Sequence, residues 1–191
     1  AAIGWLPRGP GGGVSTLSGA VGVGCCSLVA VVFAISATGK GRTTAVRAAF
    51  RRSVSDMAVL PVRVAGAVAA AVPMVEAATA VLIAIPSTAL LGCVLALTML
   101  VIFCTGIVIT LRRGTRAGCR CFGTTERTYG PPHLVRNGLL AAAALAGAVT
   151  SGHPTDLPGA LIAIVAGVLV ALVLVTLDEL LDLFVTPARS G

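Results

Sequence analysis

Two cysteines one residue apart, Cys119 and Cys121, lie in the basic stretch Arg112-Arg113-Gly114-Thr115-Arg116-Ala117-Gly118-Cys119-Arg120-Cys121-Phe122-Gly123. A disulfide needs Cα atoms about 4.4–6.8 Å apart, so a pair at this spacing closes only where the chain bends. Gly118 and Gly123 allow that bend. The small ring would be more easily reduced than a structural disulfide, and Arg116 and Arg120 favour thiolate over thiol. Such a pair suits reversible exchange, in which one thiolate attacks and the other resolves the mixed disulfide. The same residues also fit two loop cysteines without a role, or a metal pair. The metal reading is the weaker, because a structural zinc takes four ligands and only His133 is close in sequence. No metal is therefore expected.

Glu76 is the second candidate. It falls near the middle of an apolar run, where a carboxylate costs a few kcal/mol and so faces the protein interior with a partner. It would either handle a proton beside the redox site, bind a small molecule, or simply hydrogen-bond to another helix. His133, Arg136 and Asn137 open a later apolar run. A histidine there would be able to assist thiol deprotonation, or else these residues cap and anchor the helix. No Walker loop, His-Glu zinc motif or Ser-His-Asp pattern is present.

The elements that must position these residues follow from composition. Hydrophobic residues make up 57% of the 191-residue chain and charged residues 11%, with a mean hydropathy of +1.00. A soluble domain is about 25% charged, so the expected solvent is a bilayer. The net charge is +7 and aromatics are 4%. The basic residues cluster beside apolar runs, which fits anionic lipid head groups and not a nucleic-acid partner.

Residues 1–13, rich in Gly and Pro, read as a flexible tail, and 14–185 as one transmembrane bundle. Crossings are expected at about 14–37, 62–85, 88–111, 133–152 and 157–177, each long enough to span, with a short C-terminal tail at 186–191. The basic segment from Lys40 to Pro61 reads equally as a surface helix or a loop. Gly66 with Ala70, and Ala143 with Gly147, offer small faces for close helix packing. Cys93 and Cys104 are eleven residues apart, which puts them on one face about 16 Å apart along the axis. That gap is too long for direct exchange between the two. The architecture expected is an all-α polytopic bundle, a four-helix core plus a fifth crossing. Lys40, Arg42, Arg47, Arg51, Arg52 and Arg63 flank one loop, and Arg112, Arg113, Arg116, Arg120, Arg127 and Arg136 flank the cysteine loop. The positive-inside rule then makes the cysteine loop cytoplasmic.

Pro73-Met74-Val75-Glu76, Arg113-Gly114, Cys119-Arg120-Cys121-Phe122-Gly123 and Arg136-Asn137, in this order, resemble the MauE family. These are methylamine-utilisation membrane proteins grouped with the broader DoxX-like bundles. The resemblance covers roughly residues 14–149. It implies a redox-associated protein of the bacterial cell membrane that works with a thioredoxin-like partner in forming disulfides during maturation of a periplasmic dehydrogenase. The family's motif cysteines fall on Cys119 and Cys121, and its acidic position on Glu76. That analogy would make the cysteine loop exofacial, against the charge count. The four-helix core with a cysteine pair is also similar in outline to vitamin K epoxide reductase, which implies a quinone as electron acceptor, although the chain has no Cys-x-x-Cys. The function expected is thiol–disulfide exchange through the Cys-x-Cys loop with a thioredoxin-like protein or other thiol substrate. The alternatives are a non-catalytic assembly factor, or a carrier using the intramembrane Glu76.

Overall fold

The computed structural model describes residues 11–56, 61–112, 118–119, 127–128 and 131–185. In chain order the elements are α1 (Gly11–Gly41), α2 (Thr44–Asp56), α3 (Val62–Ala84), α4 (Ala89–Arg112), β1 (Gly118–Cys119), β2 (Arg127–Thr128), α5 (Pro131–Thr150) and α6 (Leu157–Val185). Among the described residues, five helices are long and apolar enough to cross a membrane: Ser15–Gly41, Val64–Ala84, Ala89–Arg112, His133–Thr150 and Leu157–Leu177. Backbone groups in hydrocarbon have no water to bond, so uncharged runs of Ala, Val, Leu and Ile resolve as helices.

α1, α3, α4 and α5 form a closed ring in which each helix packs on two neighbours, with α1 and α4 on a diagonal. Val29, Val32 and Phe33 of α1, Ala69 and Val72 of α3, Ala96, Met99 and Leu100 of α4, and Leu140 and Ala144 of α5 fill its centre. The outward faces stay apolar. Leu90, Val94, Val101 and Ile102 on α4, and Leu161, Ile162, Val165 and Leu169 on α6, are all exposed. In water such surfaces would drive association; in a bilayer they are the lipid-facing side. The chain is an integral membrane protein, a polytopic helical bundle with its fifth spanning helix outside the four-helix core.

α6 packs on α1 through small residues. A Cβ on Gly167 would stand 2.3 Å from the Gly24 carbonyl oxygen and 3.0 Å from Ser27 Cβ. Both obstacles are close to the α1 backbone and cannot swing away. Gly167→Leu is therefore expected to separate α6 from α1, with an overpacking cost of at least about 1–3 kcal/mol. Faster protease cleavage in the connection at residues 151–156 would report the loosened helix. Cleavage at the parent rate would show that α6 is not held by this contact.

The α3 packing face differs from the one expected. Ala70 is exposed, while Ala65, Ala69 and Val72 are buried. Gly66 instead lies beneath α2, where an added Cβ would be 3.2 Å from Arg51 Nε. The reason is α2 itself. Within the segment between Lys40 and Pro61, Thr44–Asp56 form a helix and not a plain loop. It lies on α3 and on the end of α1, with Phe50 buried, Val46, Ala49 and Val54 half-buried, and Arg47, Arg51 and Arg52 exposed. The α5 site holds as expected: Gly147 is buried against α1 and α4.

Among the described residues the only strands form a two-residue ladder. β1 runs antiparallel to β2, with Gly118 opposite Thr128 and Cys119 opposite Arg127. β1 lies against α2.

Candidate functional site

The ring alternates direction, so the α1–α2–α3 and α4–β1–β2–α5 connections lie at the same end of the bundle. α1 ends there on Ser36-Ala37-Thr38-Gly39-Lys40-Gly41. One helical turn separates Ser36 from Lys40, so the two side chains share a face. That face turns inward onto Glu76, fourteen residues into α3.

The three polar groups form a closed triangle. Lys40 Nζ donates to Glu76 Oε1 in a buried ion pair and to Ser36 Oγ at 2.8 Å. The Ser36 hydroxyl in turn donates to Glu76 Oε1 at 3.0 Å. Relative exposure is 5% for Ser36, 3% for Lys40 and 2% for Glu76, so bulk water does not screen the pair. The ammonium also stands 5.2 Å from the centre of the Phe50 ring and 5.7 Å from that of Phe103, within the range of cation–π attraction. Phe50 comes from α2 and closes the site over the end of α1. Lys40 sits in the last turn of α1, where the helix dipole favours a cation.

The triangle leaves one atom unused. Glu76 Oε2 is buried and has no hydrogen-bond partner among the described residues. Both contacts to this carboxylate, from Lys40 Nζ and Ser36 Oγ, converge on Oε1, so Oε2 keeps its accepting capacity. It is the atom best placed to accept a proton or a donor group. Taking a carboxylate and an ammonium out of water costs several kcal/mol each, and only close pairing with further hydrogen bonds offsets it.

Of the residues that the sequence singles out, Glu76 lies in the triangle. Arg136, on the second turn of α5, is close enough for its charge to act on Lys40, so it faces the protein. Asn137 beside it is buried, and His133 is half-buried at the start of the same helix. Cys119 has its backbone in β1, opposite Arg127. Arg116, Arg120, Cys121, Phe122 and Gly123 lie outside the described residues.

Sequence reasoning missed Lys40, Ser36, Phe50 and Phe103. Lys40 reads as one more member of the basic loop. A signal was nevertheless present: it is the only lysine in a chain that otherwise uses arginine, it closes an uncharged run, and it follows Ser36 by one turn. The intramembrane Glu76 called for a partner, and Lys40 falls within the last turn of a spanning helix.

No curated protein and no solved structure matches the chain. The family model for methylamine utilisation protein MauE matches residues 18–150, from the eighth residue of α1 to the last residue of α5, and so takes in nearly all of the four-helix ring, the buried triangle and the cysteine loop while ending before α6. The chain belongs to the MauE family.

Proposed function

We propose that this chain is a membrane thiol–disulfide redox protein acting within methylamine utilisation, with Cys119 and Cys121 as its exchanging pair. A thiolate of the pair attacks the disulfide of a thioredoxin-like partner. One S–S bond breaks and a mixed disulfide forms. The second cysteine then displaces the partner thiol, so the loop leaves oxidised and the partner reduced; the reverse sequence oxidises the partner. Each direction needs a group that takes or returns the thiol proton.

One observation supports this reading above the others: β1, which carries Cys119, lies against α2, and α2 supplies the Phe50 that closes over Lys40 and Glu76. A buried carboxylate with a vacant oxygen thus sits below the helix on which β1 rests. Glu76 then serves proton handling, and Lys40 and Ser36 hold its other oxygen still. Arg136 and Asn137 form the α5 wall of the same end, with His133 nearer the loop. A quinone is the acceptor that would return the loop to its oxidised form. The carrier alternative draws on the same vacant Oε2, as a ligand for a donor group.

The direct test is labelling of intact cells with a membrane-impermeant maleimide, before and after mild reduction, against a Cys119→Ser/Cys121→Ser control. The expected result is Cys119 and Cys121 labelling that appears only after reduction. Labelling before membrane disruption places the loop outside, and labelling only afterwards places it inside. Labelling indifferent to the reductant would mean that the pair cycles through no disulfide, and would sink the proposal.

A further inference from the structure

A second pair of thiols meets inside the bundle. Cys26 on α1 and Cys93 on α4 bring their sulfurs to 3.6 Å. α1 and α4 stand on the diagonal of the four-helix ring, so this contact crosses the centre of the core. α5 makes room for it with a glycine: a Cβ on Gly147 would lie 2.9 Å from Cys26 Sγ and 3.2 Å from Cys93 Sγ. Any larger residue at Gly147 would press on both sulfurs. Cys93 is fully buried, whereas Cys26 is half-buried. Sequence spacing pairs Cys93 with Cys104 on its own helix face; the fold turns Cys93 to Cys26 instead.

We propose that Cys26 and Cys93 are a second redox-active dithiol, within the membrane, that closes to a disulfide tying α1 to α4 and reduces a lipid-dissolved quinone. The two S–H bonds break and one S–S bond forms. The two electrons and two protons released pass to the two carbonyl oxygens of the quinone, which leaves as hydroquinone. Three features favour this class of oxidant. The pair lies about 21 Å along α1 from Lys40, too far from the loop cysteines for exchange, which requires sulfur contact. The surrounding walls, Val29, Ala96 and Ala144 among them, are apolar, which shuts out charged soluble thiols and protein partners. An acceptor that takes electrons and protons together leaves no net charge in a low-dielectric site, where a lone ion is costly. The half-buried Cys26 meets the oxidant first, and Cys93 completes the bond from inside. None of this depends on Cys119 or Cys121.

The test uses the full chain carrying Cys119→Ser and Cys121→Ser, reduced, reconstituted into phosphatidylcholine vesicles and given a short-chain ubiquinone. Hydroquinone is followed by absorbance and cysteine linkage by mass spectrometry of chymotryptic peptides. The expected result is a Cys26–Cys93 linked peptide with a stoichiometric yield of hydroquinone. Cys26→Ala or Cys93→Ala should abolish both, while Cys25→Ala and Cys104→Ala should keep both. Recovery of Cys26 and Cys93 as free alkylated thiols, a link made by Cys25 instead, or linkage without hydroquinone would each overturn the proposal. The linkage readout on the chain with Cys26 and Cys93 intact decides the matter even where an alanine variant fails to fold.

Discussion

Lys40→Met and Glu76→Leu, made singly, are each expected to destabilise the protein by about 3–5 kcal/mol, because each leaves an uncompensated charge in the bundle. The pair is 3% and 2% exposed, so neither survivor can reach water without opening the site. Lys40→Met leaves the Glu76 carboxylate with the Ser36 hydroxyl alone. Glu76→Leu leaves the ammonium with that hydroxyl and with the Phe50 and Phe103 rings, which supply attraction but no countercharge. The double variant Lys40→Met/Glu76→Leu removes both charges and fills the space with apolar groups, a replacement that is often neutral or stabilising. It should therefore be more stable than either single variant, and a double-mutant cycle should return a strong coupling. Unfolding midpoints in mixed detergent micelles would measure all four proteins. Single-variant losses below about 1 kcal/mol, the range of exposed pairs, would show that water enters the site. The same double variant separates fold from function: a protein restored in stability but slow in thiol exchange would confine the role of Glu76 to proton handling.

What the sequence made legible follows the strength of each physical signal. Uncharged runs of twenty residues leave a bilayer helix almost no competitor, so the spanning helices and the outer position of α6 were readable. Glu76 was readable as a buried acid for the same reason: it stands alone in hydrocarbon. Its partner was not, because Lys40 looks like a juxtamembrane cation until α2 folds back and covers it with Phe50. The apolar face of α2 is modest in sequence, with Val46, Ala49, Phe50 and Val54 on it, and contact with α3 decides between helix and loop. That same contact moved the small-residue face of α3 from Gly66 and Ala70 to Ala65 and Ala69. The Cys26–Cys93 approach is a diagonal contact between helices far apart in sequence. Helical periodicity says which residues share a face of one helix and nothing about which helix stands opposite, so Cys104 was the wrong neighbour to weigh for Cys93.

Replacing Cys119 and Cys121 together with Ser is expected to bring thiol exchange with a thioredoxin-like protein down to the uncatalysed background, the largest functional effect of any change considered. The single variants should not be equivalent. Exchange proceeds by attack of one thiolate and resolution by the second thiol. Removing the resolving cysteine strands the protein as a mixed disulfide with its partner, visible as a slower band on a non-reducing gel that collapses with reductant. Removing the attacking cysteine gives no such band. Which of the two leads is set by thiolate fraction and access, and the band assigns it. Stability should barely change in any of the three, since the packed ring is built from α1, α3, α4 and α5. Glu76→Gln provides the contrast. It keeps the carbonyl acceptor for Ser36 and Lys40 but cannot take up a proton, so it should slow exchange while still trapping the mixed disulfide in a resolving-cysteine background. A Glu76→Gln protein that exchanges at the parent rate would separate the carboxylate from thiol chemistry and leave it to the carrier role. Loss of exchange in the double serine variant with Glu76 intact would still hold the loop to its own function.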